Sequence, residues 1–407
     1  MYKTILATAY AINPYKGSED GMGWNFVRQI ARFNTVIAIT RKNNQPMIEK
    51  YMTEYPDVVY ENMQFLYFDL PYWMRFWKKK SRGAMLYYWM WQRAMPRFIR
   101  KQQLSFDIIH NLNFHNDWTP SYLWKLNKPF VWGPIGHHPS IPGQYLINYN
   151  NVYNIKNKAT WMVKQAFWKY SSSLKKTLDK ADYVCCMNSH VAKVIPLQKG
   201  KYSIIPSVAS QDFGYEPKQH KKAFTLISAG RFVPLKGFDL SILAFARFLD
   251  SLPKAKREDC KLIIVGAGPE FPLLQKLVRE NNIENQVQFI HWVERKELLK
   301  LYKNASAFLF PSHEGAGMVV AEALSFGLPV ICLDNSGPGE FIDDTCGVAV
   351  KETTYTHTLT QLSQAIAKLY QFPELAERMG KCARIKFENQ FHWDRRGEQL
   401  HSIYQSL

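Results

Sequence analysis

The sequence predicts an α/β protein with two doubly wound, parallel-sheet domains that face each other across a cleft. Short apolar runs, rich in β-branched and aromatic residues, recur along all 407 residues. Stretches with helical patterns separate these runs, as they do in parallel sheets covered by helices on both faces. The length suits two or three domains, and ligands of such sheets bind beyond the carboxyl ends of the strands.

Thirteen strands are expected. Those of the first half are TILATAY (4–10), TVIAIT (35–40), QFLYF (64–68), FDIIH (106–110), PFVWG (129–133), YVCCM (183–187) and YSIIP (202–206). Those of the second half are FTLISAG (224–230), KLIIVG (261–266), VQFIH (287–291), AFLFP (307–311), PVICL (329–333) and GVAV (347–350). The polar segment 206–222 between the two sets lacks an apolar period and is expected to be a linker.

Composition narrows the classes of partner. Lys and Arg number 52 against 34 Asp and Glu, for a net charge of +18. This balance favours nucleic acid, an anionic bilayer face or phosphorylated small molecules. No nucleic-acid-binding motif accompanies the charge, so nucleic acid is not expected. The six cysteines form no CxxC pair and are expected to be buried, reduced thiols of a cytoplasmic protein. Neither a signal peptide nor an apolar run long enough to span a membrane is recognised.

Two loops of the second half suit a phosphorylated ligand. Arg231 and Lys236 follow the strand 224–230 and precede a helix expected to begin near Phe238. Two cations beside the amides of a helix start make a good diphosphate site, although two solvated basic residues are the alternative. In the loop VGAGPE (265–270), Gly266 permits a close approach of backbone to ligand, with an ordinary tight turn as the alternative.

The stretch HEGAGMVVAE (313–322) holds two carboxylates. Glu314 follows a strand, and Glu322 falls in the first turns of a helix expected over 318–326. Both are expected on one strip facing the cleft, where one accepts hydrogen bonds from a sugar and the other from a ribose. For Glu322 alone, an acid that complements the helix dipole is the favoured alternative. In the loop 13–24, Gly17 could approach a diphosphate from the opposite domain.

The order of AGRFVPLKG, VGAGPE and HEGAGMVVAEALSFGLPVI resembles glycosyltransferase family 4. Glu314 and Glu322 match its hallmark of two glutamates with seven residues between them. The strong motifs cover about residues 224–407, and the N-terminal half matches more loosely. The resemblance implies the GT-B fold, with two Rossmann-like domains. Residues 1–208 are then the acceptor-side domain, 209–385 the nucleotide-sugar donor domain, and 386–407 a helix that returns to the first domain.

The resemblance implies a role for each matching position. Arg231 and Lys236 would hold the donor diphosphate, Glu314 the transferred sugar and Glu322 the ribose, while Val293 would pack on the base. The expected catalytic residues are Glu314, Arg231, Lys236 and His110, and the expected donor-binding residues are Gly17, Gly266, Val293, Gly315, Ala316, Gly317, Met318 and Glu322.

Two histidines are candidates for the one that approaches the reacting sugar. His110 ends a strand and is favoured over His115 in the following loop, although a lone strand-end histidine is more often structural. His137 and His138 stand where relatives carry glycine, and so does Trp292.

The family retains anomeric configuration and generally needs no metal. The sequence contains no Asp-x-Asp motif that would clamp a diphosphate-bound cation. Two fixed cations and a helix start can stabilise the leaving group instead. No cofactor or metal is therefore expected, and a nucleoside-diphosphate sugar serves as co-substrate.

Aromatic and basic residues alternate in two segments, 70–103 and 161–176. In the first segment, basic residues stand beside tryptophans, and those singled out are Lys78, Lys79, Lys80, Arg82, Trp73, Trp77 and Trp91. Such stretches suit an anionic membrane surface, with core-facing aromatics and a solvated basic face as the alternative. The protein is expected to be peripheral on the inner face of the cell membrane.

The predicted function is a retaining, metal-independent hexosyltransferase. It would move a sugar from a nucleoside-diphosphate sugar to a glycan, lipopolysaccharide or lipid-linked acceptor in surface polysaccharide assembly. The alternatives are a GT-B sugar-nucleotide epimerase or phosphorylase, or a non-catalytic scaffold of a glycan-assembly complex.

Overall fold

The computed structural model describes residues 2–79, 82–112, 116–149, 151–215, 223–291 and 293–407, without the side chains of residues 151 and 152. These residues form two compact units. The first consists of Met1–His137, Thr160–Ser207 and Trp393–Leu407, and the second of His138–Ala159 and Val208–His392.

Each unit contains one parallel sheet. The strands are β1 Thr4–Ala9, β2 Thr35–Thr40, β3 Met63–Tyr67, β4 Ile108–Leu112, β5 Phe130–Ile135, β6 Tyr183–Cys186, β7 Tyr202–Ile204, β8 Phe224–Ala229, β9 Cys260–Val265, β10 Val287–Ile290, β11 Ala307–Phe310, β12 Val330–Asp334 and β13 Gly347–Lys351. The strand orders are β3-β2-β1-β4-β5-β6-β7 and β10-β9-β8-β11-β12-β13. Every predicted strand is present, and the prediction of two doubly wound parallel sheets is confirmed.

Helices cover both sheets. They are α1 Ser18–Ala31, α2 Gln45–Glu54, α3 Ala84–Gln102, α4 Asn151–Tyr170, α5 Ser172–Lys180, α6 Val191–Val194, α7 Phe238–Asp250, α8 Lys254–Arg257, α9 Phe271–Glu280, α10 Arg295–Asn304, α11 Met318–Ser325, α12 Tyr355–Gln371, α13 Pro373–Lys386 and α14 Trp393–Ser406. None of the described helices is both long and apolar enough to cross a lipid bilayer.

The last helix packs within the first unit. In α14, the Trp393 ring meets the ring of Phe26 in α1 edge to face, with centroids 5.3 Å apart. The Arg32 guanidinium lies 2.6 Å from a carboxylate oxygen of Asp394. The chain thus returns to its first unit at residue 393, whereas the sequence predicted that this return begins at residue 386.

Residues 138–159 belong to the second unit, although the sequence grouped them with the first. The Tyr145 ring lies against His313, with centroids 4.9 Å apart, and the Tyr149 hydroxyl bonds to Asp239. Both tyrosines are part of the apolar core of that unit. Burial of these rings stabilises the packing of the segment on the second unit, although the residues before and after it in sequence belong to the first unit.

The first part of the expected linker packs on the second unit. Val208 and Ala209 are buried, and the Ser210 amide donates to the Phe391 carbonyl at 2.9 Å. This stretch is therefore part of the second unit, while residues 216–222 lie outside the described part of the chain.

The cysteines and tryptophans of the sequence have different environments. All six cysteines are free, and every one except Cys382 is fully buried, as expected. Of the three tryptophans predicted to contact a membrane, Trp91 is instead in the core and donates from Nε1 to the Phe68 carbonyl. Trp77 is half-buried, and only Trp73 is exposed. Trp91 is buried because it lies on the face of α3 that packs on the sheet.

Candidate active site

The site of the second unit lies where its strand order reverses. β8 and β11 are neighbours there, and their loops emerge from the same edge of the sheet. The Leu235 carbonyl joins the two loops, because it accepts from the Ser312 hydroxyl and from the His313 amide, each at 2.9 Å. The loop after β8 and the loop after β11 therefore form one structure.

Lys236 and Glu314 form the central pair of this structure. The Lys236 ammonium lies 2.7 and 2.6 Å from the two carboxylate oxygens of Glu314. Their side chains are only 19% and 11% exposed, so solvent screens the attraction weakly. Gly237 makes the close approach possible, because a Cβ there would lie 2.0 Å from the Pro311 carbonyl oxygen. Its positive φ of 65° also favours glycine.

Glu322 forms a second pair. It lies within α11, as the sequence indicated, and is 11% exposed. One carboxylate oxygen is 2.9 Å from Nη2 of Arg295, whose side chain is half exposed. The Arg295 guanidinium in turn covers the Phe213 ring at 4.9 Å. The site predicted from the sequence did not include Arg295. The available signal was its position shortly after Val293, in the stretch that follows β10.

Unlike Lys236, the Arg231 side chain makes no hydrogen bond or ion pair within the described residues. Its side chain is exposed at the end of β8. Burial, followed by the charge of Glu270, raises the pKa of the Tyr153 hydroxyl, and the positive charge of Arg231 opposes that rise. The structure therefore joins Lys236 with Glu314 and Glu322 with Arg295, and leaves Arg231 available to a ligand.

The other positions predicted to bind the donor differ in how buried they are. Gly266 has a φ of 151°, and a Cβ there would lie 1.9 Å from the Gly230 carbonyl oxygen, so packing of the two loops already requires glycine. Gly17 is exposed, and a Cβ there would meet nothing within 4 Å. Val293 is half-buried against the apolar core. Around the start of α11, the following four residues are buried or half-buried: Gly315, Ala316, Gly317 and Met318.

His110 is enclosed in the first unit. Its Nδ1 lies 2.6 Å from the Tyr404 hydroxyl, and its Nε2 lies 2.8 Å from the Gly133 carbonyl oxygen. Burial lowers the pKa of this imidazole to about 4. Both ring nitrogens are thus engaged in joining β4, β5 and α14. This geometry supports a structural role, and we assign His110 no catalytic part below.

A second buried histidine follows β5. The His137 Nδ1 lies 2.8 Å from an Asp117 carboxylate oxygen, and both side chains are almost fully buried. The rings of Trp161 and Trp168 pack around the imidazole. His137 is therefore held in place more firmly than a loop position suggests. The other predicted candidate, His115, lies outside the described residues, as does Trp292.

Sequence reasoning missed a polar cluster beside the Lys236–Glu314 pair. The Tyr149 hydroxyl donates to Oδ1 of Asp239 at 2.6 Å, at the start of α7. The His313 Nδ1 lies 2.6 Å from Oε1 of Glu352, and the Tyr145 ring covers His313. Two tyrosines four residues apart were the available signal, but spacing does not say which surface they cover. These residues stabilise the loops that carry Lys236 and Glu314.

Most of the second unit is similar to known proteins. Residues 212–386 match the family model described as "Glycosyl transferases group 1". A GDP-mannose-dependent monoacylated alpha-(1-6)-phosphatidylinositol monomannoside mannosyltransferase from Corynebacterium glutamicum is 29% identical over 184 residues, 43% of this chain and 45% of that protein. The chain thus spans less than half the length of the curated relatives it matches first, with 41% and 46% for two others.

Solved structures match along the whole chain. WaaG, a glycosyltransferase involved in lipopolysaccharide biosynthesis, is 17% identical with a TM-score of 0.62, over 98% of this chain and 99% of WaaG. Anabaena HepE in complex with UDP is 13% identical with a TM-score of 0.66, over 100% of both chains. At such identities these matches show the fold alone. Residues 212–386 are thus similar to the group 1 glycosyl transferases, and the two parallel sheets have the GT-B fold that the resemblance to glycosyltransferase family 4 implied.

Proposed function

We propose that the protein is a retaining glycosyltransferase that moves a sugar from a nucleoside-diphosphate sugar to a glycan, lipopolysaccharide or lipid-linked acceptor. The observation that carries the proposal is the buried contact between Lys236 and Glu314 on two joined loops at the reversal of strand order. A cation and a carboxylate fixed side by side suit a ligand with a diphosphate next to a hydroxyl-rich ring.

The chemical step needs stabilisation of the departing nucleoside diphosphate. Lys236 and the exposed Arg231 supply two positive charges on one loop. The amides at the start of α7, which begins at Phe238, add a favourable dipole. These groups act most strongly when charge grows on the leaving phosphate, so they lower the barrier more than they tighten donor binding. No metal is required for this stabilisation, and metal independence is part of the proposal.

The carboxylates are assigned to the two sugars of the donor. Glu314 would accept hydrogen bonds from the transferred sugar, with its second role being to orient Lys236. Glu322 would accept from the ribose, and the contact with Arg295 orients its carboxylate. The relative from Corynebacterium glutamicum is GDP-mannose-dependent and HepE is in complex with UDP, so both bases belong in the test.

We further propose that the first unit meets an anionic membrane surface through its aromatic loop, residues 71–79. Tyr72, Trp73 and Phe76 are 73%, 72% and 60% exposed. The basic residues Arg75 and Lys79 are exposed beside them. Exposed rings and cations in one short loop suit the boundary between head groups and acyl chains.

Vesicle binding tests the aromatic loop. Trp73→Ser combined with Phe76→Ser should lower co-sedimentation with phosphatidylglycerol vesicles by about tenfold, because roughly 1.4 kcal/mol of lost ring burial changes binding by that factor. Phe372→Ser, at an exposed ring of the second unit, is the matched control. Equal co-sedimentation of the two variants would show that the aromatic loop does not contact the membrane.

The donor is found by a thermal-shift screen of the full chain with UDP-, GDP-, ADP- and CMP-sugars. A ligand at 100 times its dissociation constant should add about 2.7 kcal/mol of stability. Transfer to an acceptor is then followed by NMR, which reads the anomeric configuration of the product. An inverted product would remove the retaining mechanism from the proposal, and absence of stabilisation by every nucleotide sugar would favour a non-catalytic scaffold.

A further inference from the structure

A polar cavity of about 280 Å³ opens in the first unit at the carboxyl ends of β1 and β2. Its polar lining comes from the loop after β1, the start of α1, the end of β2 and the aromatic loop: Tyr10, Ser18, Glu19, Asp20, Arg41 and Lys78. Loops at this end of a doubly wound sheet are where ligands bind. The cavity has about the volume of a single sugar ring with one substituent.

Arg41 is held rigidly at one wall. Its Nε donates to the Tyr10 carbonyl at 3.0 Å, and its guanidinium covers the Tyr10 ring at 4.1 Å. The Asn44 amide donates to the same carbonyl at 3.1 Å. The Arg41 side chain is therefore oriented before a ligand arrives, and no ion pair found among the described residues includes it.

Lys78 brings a second cation to the cavity. Its ammonium lies 5.6 Å from the centroid of the Tyr87 ring. Burial lowers the pKa of Lys78, and the nearby positive charge of Arg41 lowers it further, against the opposing effect of Asp69. Asp69 already accepts from the Tyr87 hydroxyl and from the Lys42 amide. Two half-buried cations close together cost free energy, which an anion with several oxygens would offset.

The acidic residues of the cavity do not cancel this charge. Asp20 is 3.6 Å from the Lys16 ammonium. Burial, followed by the charge of Asp20, raises the pKa of Glu19 to about 7, which favours the protonated form of this carboxyl. Carboxyl groups of this kind can both donate to and accept from sugar hydroxyls. The cavity thus combines a cationic wall with a wall suited to hydroxyls.

We propose that this cavity binds a phosphate-bearing saccharide, with the phosphate on Arg41 and Lys78 and the hydroxyls toward Glu19 and Asp20. The inference rests on the proposed function, for which it defines the acceptor class. The phosphate can come from a soluble sugar phosphate or from a lipid head group. Both sources fit, because Lys78 belongs to the same aromatic loop as the exposed Trp73.

Calorimetric titration of the full chain tests the cavity with three probes: glucose 1-phosphate, glucose, and phosphatidylcholine vesicles with or without phosphatidylinositol. The variants are Arg41→Gln and Lys78→Gln, with Arg97→Gln and Lys101→Gln in α3 as matched controls on exposed side chains. Each cavity variant should weaken binding of the phosphate-bearing probe about ten- to a hundredfold, as expected for the loss of a charge-assisted hydrogen bond. The controls should leave binding unchanged, and glucose should bind much more weakly than its phosphate.

The two sources give different results. Loss of glucose 1-phosphate binding in the cavity variants supports a soluble sugar phosphate, and a loss confined to phosphatidylinositol vesicles supports a lipid-borne one. Equal binding in all four variants, or equal affinity for glucose and glucose 1-phosphate, overturns the inference. Nucleotide-sugar binding by the second unit is measured in the same samples. It should stay unchanged in Arg41→Gln and Lys78→Gln, and its absence from the wild type would count against the proposed function instead.

Discussion

The hydroxyl of Tyr149 should stabilise the loop that carries Lys236. It donates to Oδ1 of Asp239 at 2.6 Å, and both residues are buried. Burial raises the pKa of Asp239, and the hydrogen bond from Tyr149 opposes that rise. Tyr149→Phe keeps the ring and removes only the hydroxyl donor. The buried carboxyl group of Asp239 then lacks this hydrogen bond. Such a loss costs about 1–3 kcal/mol.

Thermal unfolding measures this effect. A cost of about 2 kcal/mol should lower the melting temperature by roughly 4–8 °C for a unit of this size. Because Asp239 lies in the first turn of α7, Tyr149→Phe should also weaken nucleotide-sugar binding. Tyr170→Phe, at an exposed ring, is the matched control and should change stability by less than about 0.5 kcal/mol.

A double-mutant cycle separates the hydrogen bond from other effects of Tyr149→Phe. Asp239→Asn removes the charge at the acceptor, and Tyr149→Phe should then cost less than it does in the wild type. If Tyr149→Phe melts at the same temperature as Tyr170→Phe, the segment 138–159 does not stabilise the site and the reasoning fails.

Three further outcomes are expected. Glu322→Gln should weaken nucleotide binding about tenfold in calorimetry, from the loss of one charge-assisted contact to the ribose, while stability changes little because Arg295 is half exposed. In the folded protein His110 has a pKa of about 4, below its ordinary value of 6.5, so the unfolded chain takes up the proton at a higher pH than the folded chain does. The free energy of unfolding should therefore fall by about 3 kcal/mol as the pH drops from 6.5 to 4, and NMR should show no titration of His110 above pH 5.5. Turnover should survive EDTA, and loss of activity that Mg²⁺ restores would contradict metal-independent stabilisation of the leaving group.

The strands and the site loops were predictable from the sequence for a physical reason. Strands of a parallel sheet are buried on both faces, so they read as continuous apolar runs such as FTLISAG. Their carboxyl ends fix where ligand-binding loops emerge, which placed Lys236 and Glu314 at one edge. The direct contact between these two residues depends on loop packing around Leu235, which spacing alone does not specify.

Tertiary contacts decided what the sequence could not. The strand-end position of His110 was compatible with a catalytic or a structural role, because both faces of β4 are buried and an apolar period gives no orientation. The segment 138–159 belongs to the second unit because of contacts between residues far apart in sequence, such as Tyr149 and Asp239. Exposure of Trp73 and burial of Trp91 likewise depend on the packing of α3, although both lie in one aromatic and basic segment.

Release of nucleoside diphosphate from a nucleotide sugar tests the central claim most directly. Arg231→Gln is the most informative variant, because this exposed side chain makes no hydrogen bond or ion pair with the described residues and its loss should not disturb folding. Removal of one charge that stabilises the leaving group should slow release about 10²- to 10³-fold. Arg279→Gln, at an exposed position of α9, should release at the wild-type rate. Release by Arg231→Gln at the wild-type rate, or no release by the wild type from any of the four nucleotide sugars, would contradict the account.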